Sequence, residues 1–109
     1  MNVFEKIIKK ELPADIVYES DNVLAFNDIK PLAKVHIIVI PKKTGISNIL
    51  DASPDELNNL FESIKIISKK LNLDKDGFRV VTNLGQNANQ TIEHLHFHII
   101  GGEQLGKPC

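Results

Sequence analysis

The sequence predicts an α+β fold resting on an antiparallel sheet, and three observations carry that prediction. Short strand-like runs follow one another without crossover helices, as antiparallel neighbours do. One long segment, from Ser53 to about Leu71, has helical spacing and a full set of start signals. The run His94-Leu95-His96-Phe97-His98 alternates polar and apolar, the period of a strand. With 109 residues, the chain is long enough for one domain with its own core and too short for two, so residues 1–109 read as one domain.

Each element has its own local reason. Val3, Phe4, Ile7 and Ile8 make a short helical stripe with Lys and Glu opposite. After Pro13, residues 16–20 and 23–27 flank Asp21-Asn22, a turn-forming pair at hairpin length. Residues 35–40 are β-branched and largely apolar up to Pro41, which suits a buried central strand. Ser53 fits as N-cap, Pro54 at the first helical position and Glu56 as the return partner of a capping box. Leu57, Leu60, Phe61, Ile64, Ile67 and Leu71 then follow helical spacing. Residues 78–83 form another strand, 85–89 a polar loop, and the histidine strand comes last before a glycine-containing tail.

Composition excludes several classes of function. A formal net charge of −1 argues against a broad basic footprint for nucleic acid or an anionic membrane. The single cysteine, Cys109, allows no internal disulfide, which suits a reducing cytoplasm. The N-terminus has no basic start followed by a long apolar stretch, and no run approaches the roughly 20 apolar residues that span a bilayer.

Three of the chain's four histidines stand in that last strand. On an extended strand the three imidazoles share one face, roughly 7 Å apart, while Leu95, Phe97 and Ile99 bury the other. The bland reading is a set of hydrogen-bonded strand histidines. A second is a zinc site, but His94 and His98 would be roughly 13–14 Å apart at Cα, a strained reach for bonds near 2 Å. His36 is the one other histidine that could join them. The third is phosphoryl or nucleotidyl transfer with imidazole as nucleophile. His96, flanked on both sides, is then the natural attacker, and a neighbour can donate to the phosphate or protonate a leaving amine. The chain has no phosphate-binding Gly-x-x-x-x-Gly-Lys-Ser/Thr loop and no dense carboxylate cluster for magnesium, which favours a metal-free route.

His-Leu-His-Phe-His-Ile-Ile resembles the alternating signature of the histidine triad family, and Gly101-Gly102 after it resembles the Hint branch, the histidine triad nucleotide-binding proteins. Residues 11–14, 24–29, 36–43 and 81–85 carry further similarity in the right order. The resemblance implies a HIT-like α+β fold: a five-stranded antiparallel sheet, a short N-terminal helix, one long central helix, and assembly as a homodimer. It also implies hydrolysis of purine nucleoside phosphoramidates and adenylates, with no metal or cofactor.

By that resemblance His96 is the nucleophile that forms a nucleotidyl-histidine intermediate. His98 contacts the phosphate and assists the leaving group, and His94 and His36 orient or tune the others. Asn83, Gln90 and Thr91 match phosphate-side positions. Asp28 matches the carboxylate that accepts from the ribose hydroxyls, and an ionised carboxylate, having only acceptors, suits a diol. Asn27 is counted with the nucleotide-binding residues. For the apolar slot of the base, Phe26 and Ile29 are preferred over Ile7, Leu24 and Ile49.

The chain also departs from the pattern. Asn27 and Thr44 stand where histidine is frequent, Asn89 replaces a glycine, and the tail lacks a tryptophan. Selectivity for the leaving group rests on such positions. The altered tail keeps a purine mononucleotide-binding regulator as an alternative to the phosphoramidase, and the shared histidine strand keeps a dinucleoside polyphosphate hydrolase, against which Gly101-Gly102 speaks.

Overall fold

The protein is described by a computed structural model covering residues 1–107, so Cys109, on which the disulfide argument rests, lies outside the described residues. Helix α1 (Val3–Ile8) starts at a capping box: Asn2 Oδ1 accepts from Glu5 N–H at 2.9 Å, and Glu5 Oε1 accepts from Asn2 N–H at 3.0 Å. Strands β1 (Ile16–Glu19) and β2 (Val23–Asn27) form the expected hairpin. The Ser20 hydroxyl accepts from Val23 N–H at 3.1 Å, which turns the chain one residue before the predicted end of β1. β3 (Val35–Pro41) runs one residue further than predicted, with Pro41 opposite Val23.

Helix α2 (Pro54–Lys70) follows its sequence signals closely. Ser53 Oγ accepts from Glu56 N–H at 3.1 Å, and Glu56 Oε1 accepts from Ser53 N–H at 2.8 Å. Leu60, Ile64 and Ile67 are buried, whereas Phe61 and Leu71, at the stripe's margins, remain 44% and 37% exposed. A short helix α3 (Leu73–Asp76) leads through Gly77, at φ +98°, into β4 (Phe78–Val81). A single 3₁₀ turn (Gln86–Ala88) precedes β5 (Phe97–Gly101).

The five strands make one sheet, antiparallel throughout, in the order β1-β2-β3-β5-β4. This is the α+β architecture that the pattern and the resemblance predicted. One face carries Val23, Ala25, Ile37, Val39, Phe97 and Ile99 against α2. The other carries Leu24, Phe26, Ile38 and Ile40 against Phe4 and Ile7 of α1. With six residues, roughly 9 Å of axis, α1 is too short to cover that face, and the histidines occupy the rest of it. Among the described residues no helix is long and apolar enough to cross a membrane.

Two strand predictions need correction. β4 stops at Val81, short of Asn83, and β5 starts at Phe97, so His94, Leu95 and His96 stand outside the ladder. The reason lies across the sheet. β3 and β5 pair up to Val39↔Phe97, and two residues further on the β3 side comes Pro41, which has no N–H to offer. Leu95 N–H bonds instead to Ile46 O at 2.8 Å, drawing the segment away from the sheet.

Candidate active site

Two of the histidines lie on adjacent central strands, on the face that α2 leaves free. Ile38 pairs with His98 and His36 with Ile100, so His36 and His98 are diagonal neighbours on one face. His36 Nε2 lies 2.8 Å from His98 Nδ1. The proton between them can be placed, because Leu32 N–H donates to His36 Nδ1 at 3.0 Å. His36 Nδ1 is thus an acceptor, and the proton of the neutral ring sits on Nε2. That N–H donates to His98 Nδ1, so neutral His98 carries its own proton on Nε2, directed away from His36.

His96 is held differently. Its Nδ1–H donates to the backbone oxygen of His94 at 2.7 Å, which leaves the lone pair on Nε2. Among the described residues this Nε2 has no protein partner, and no buried side-chain nitrogen goes unpartnered, so Nε2 is what the 8% exposed ring presents to solvent. The His96 and His98 ring centroids are 5.2 Å apart, close enough for a lone pair and an N–H donor to meet one small anionic group. His94 does neither job. It is 1% exposed, and its Nε2 donates to Pro41 O at 3.0 Å. The three imidazoles are therefore not equivalent along a strand: His96 and His98 reach the open side of the sheet, and His94 is buried and bonded to Pro41 O.

Phe4 completes the setting, and the sequence reading missed it. Its ring meets His96 edge-on at 4.9 Å between centroids, His94 at 6.1 Å and Phe26 at 5.8 Å. Helical spacing marks Phe4 as buried, but nothing local says that it lies against histidines 90 residues away. Burial holds the His96 imidazole below its ordinary pKa, opposed by the His94 carbonyl that accepts from Nδ1. His98 is pushed down to about 4, by burial first and then by the neighbouring His96 and His36. Both rings are thus neutral near pH 7, the state a nucleophile needs.

The nucleotide-side predictions divide. Asp28 comes to the cluster: Oδ2 lies 3.4 Å from His36 Nε2, and Oδ1 accepts from Lys30 N–H at 2.8 Å. Phe26 is buried beside Phe4 in the core of this face. Ile29 is 92% exposed, and Ile49 packs on the opposite, α2-covered face. Asn27 donates to Asp15 Oδ2 at 2.8 Å. Gln90 spends its whole amide on the chain: Oε1 accepts from Gly85 N–H at 2.9 Å, and Nε2 donates to Ser47 O and Ile92 O at 2.7 and 3.1 Å. It ties the loop down and has no amide proton left for a phosphate. The side chains of Asn83, partly buried, and Thr91, exposed, have no hydrogen bond within the described chain.

Asp28, His36 and His98 also place three metal-type donors within 4.8 Å of one another. Their protonation does not suit a cation. Binding would strip His36 Nε2 of its proton, and the neutral ring would then hold it on Nδ1, facing Leu32 N–H. His36 Nε2 and His98 Nδ1 are also 2.8 Å apart, against roughly 3.3 Å between two ligands of a tetrahedral ion with bonds near 2.0 Å.

Comparison with known proteins gives the chain its relatives. The HIT domain model matches residues 9–105. An uncharacterized HIT-like protein of Rickettsia prowazekii is 53% identical over 107 residues, covering 95% of this chain and 89% of the relative. A 14 kDa zinc-binding protein of Brassica juncea is 44% identical over 110 residues, covering 97% and 96%. An adenylylsulfatase of Arabidopsis thaliana is 43% identical over 110 residues, covering 97% and 74%. Among solved structures, a HIT family hydrolase from Legionella pneumophila superposes with a TM-score of 0.90 at 38% identity, covering 97% and 96%.

Proposed function

The chain belongs to the HIT domain family, and on that premise we propose that it is a metal-independent hydrolase of purine nucleoside phosphoramidates and adenylates. The supporting observation is the pair of tautomers at the site: a lone pair on His96 Nε2 and an N–H on His98 Nε2, neither with a partner among the described residues. His96 Nε2 attacks the phosphorus, a phosphorus–nitrogen bond to the enzyme forms, and the bond to the leaving group breaks with its electron pair, a departing amine taking its proton from solvent at the open edge of the site. His98 Nε2–H donates to a non-bridging oxygen as negative charge gathers there. Water then attacks the same phosphorus, returns a proton to solvent, and releases His96 with its lone pair restored. Asp28 accepts from the ribose hydroxyls, Asn83 and Thr91 face the phosphate, and Phe26 backs the base. The protein acts as a cytoplasmic homodimer.

A neutral His98 gives up its proton reluctantly, and this favours a second choice of leaving group. The Arabidopsis relative's name, adenylylsulfatase, points to sulfate, which departs as a stable anion and needs no proton. Attack at the adenylyl phosphorus is the same in both cases. The zinc-binding name of the Brassica relative raises a metal reading, against which stands the hydrogen-bond pattern at His36.

The test is hydrolysis of adenosine 5′-monophosphoramidate and of adenylyl sulfate in excess EDTA, by the native protein and by His96→Gln. Native turnover is expected to survive chelation and to fall by roughly 10³-fold or more in the variant. Activity that vanishes in EDTA and returns only with zinc would sink the metal-free mechanism, and equal turnover in both proteins would remove His96 as nucleophile.

A further inference from the structure

The backbone that carries the nucleophile stands just past the ordered ladder. On one side, pairing of β5 ends at Val39↔Phe97, and on the other at Val81↔His98. His96 therefore precedes the first strand residue, and its ring is anchored on the carbonyl of His94, which lies in the same irregular segment. A segment held so locally would let Nε2 swing. One contact ties it to the end of β4: Thr82, the residue after that strand, donates its hydroxyl proton to the backbone oxygen of His96 at 2.8 Å.

We infer that Thr82 is a positioning residue for His96, its hydroxyl fixing the backbone from which the imidazole projects. The inference rests on the reading of His96 as nucleophile. On the β3 side the segment is held through His94, whose ring is tied to Pro41 O at 3.0 Å, and Thr82 supplies the hold from the β4 side. A reacting atom displaced by about 1 Å costs up to about a hundredfold in rate while leaving the binding contacts in place. Loss of the hydroxyl therefore acts on kcat.

Thr82→Val keeps the branched shape and the strand preference and removes only the donor. In the chelated phosphoramidate assay it is expected to lower kcat about tenfold with KM within about twofold, and Thr82→Ser to recover most of the loss. In proton NMR of the unliganded protein, the His96 Nδ1–H resonance, identified by its absence from His96→Gln, should shift or broaden in the Val variant and keep its place in the Ser variant. A Val variant with native kcat overturns the inference. So does a Ser variant that loses as much rate as Val while the resonance stays unmoved in both. Full activity in His96→Gln would be a separate failure, that of the nucleophile reading itself.

Discussion

His98 shows how much a residue's neighbours can change its chemistry. A free imidazole titrates near pH 6.5, whereas here burial and two adjacent imidazoles hold it to about 4. Between those values the unfolded chain binds a proton that the folded chain does not, so stability must rise with pH across that window and fall as pH drops through it. We expect the thermal midpoint to decline from about pH 6.5 down to about pH 4 and the decline to be shallower in His98→Gln, read by thermal denaturation at constant ionic strength. A variant with the native slope would remove His98 as its source. His96 shifts in the same direction, so the variant's slope is reduced and not abolished. A bound phosphate acts the other way on both rings, because a nearby anion favours the protonated form.

Among the elements, α2 and the histidine segment stand at opposite ends of legibility. The start of α2 is written in Ser53, Pro54 and Glu56, because a capping box is made by residues three apart and needs nothing from the rest of the fold. Ser53→Ala should cost about 1 kcal/mol in urea unfolding with an unchanged denaturant slope; a variant as stable as the native protein would mean that water caps the helix equally well. The alternation of residues 94–98 assigned faces correctly: Leu95, Phe97 and Ile99 all enter the core under α2. It could not say where the strand begins. That depends on Pro41, far away in sequence, having no N–H to pair, and on Leu95 turning to Ile46. Gln90 shows the same dependence on the fold. The resemblance places it on the phosphate side, and only the fold shows its two amide protons on Ser47 O and Ile92 O.

For the molecule as a whole, the sheet order leaves β1 and β4 as edges. Val80 on β4 lies across from the buried Ile99, hence on the α2 side of the sheet, and is 42% exposed. Phe61 of α2, whose ring meets Phe97 of the adjacent strand β5, is 44% exposed. An unpaired strand edge bordered by exposed apolar side chains is suited to a second copy of the chain. In sedimentation the protein should behave as twice its 12.2 kDa chain mass, and Val80→Lys should shift it to the single chain. A native protein that sediments as one chain at high micromolar concentration would exclude the homodimer.

The sequence by itself determined the order of the main elements, the α+β class and the buried face of the histidine strand, because these depend on local period, caps and turn residues. It also carried the family, through a motif whose spacing is contiguous. Only the tertiary structure decided what each histidine does. Tautomers follow from partners distant along the chain: Leu32 N–H sets His36, His36 sets His98, and Pro41 O takes up the His94 Nε2 proton. Phe4 and Thr82 reach His96 in the same way, from elements that meet it only when the sheet is assembled. A hydrogen atom goes to whichever nitrogen has an acceptor in reach, and that reach exists only in the folded chain.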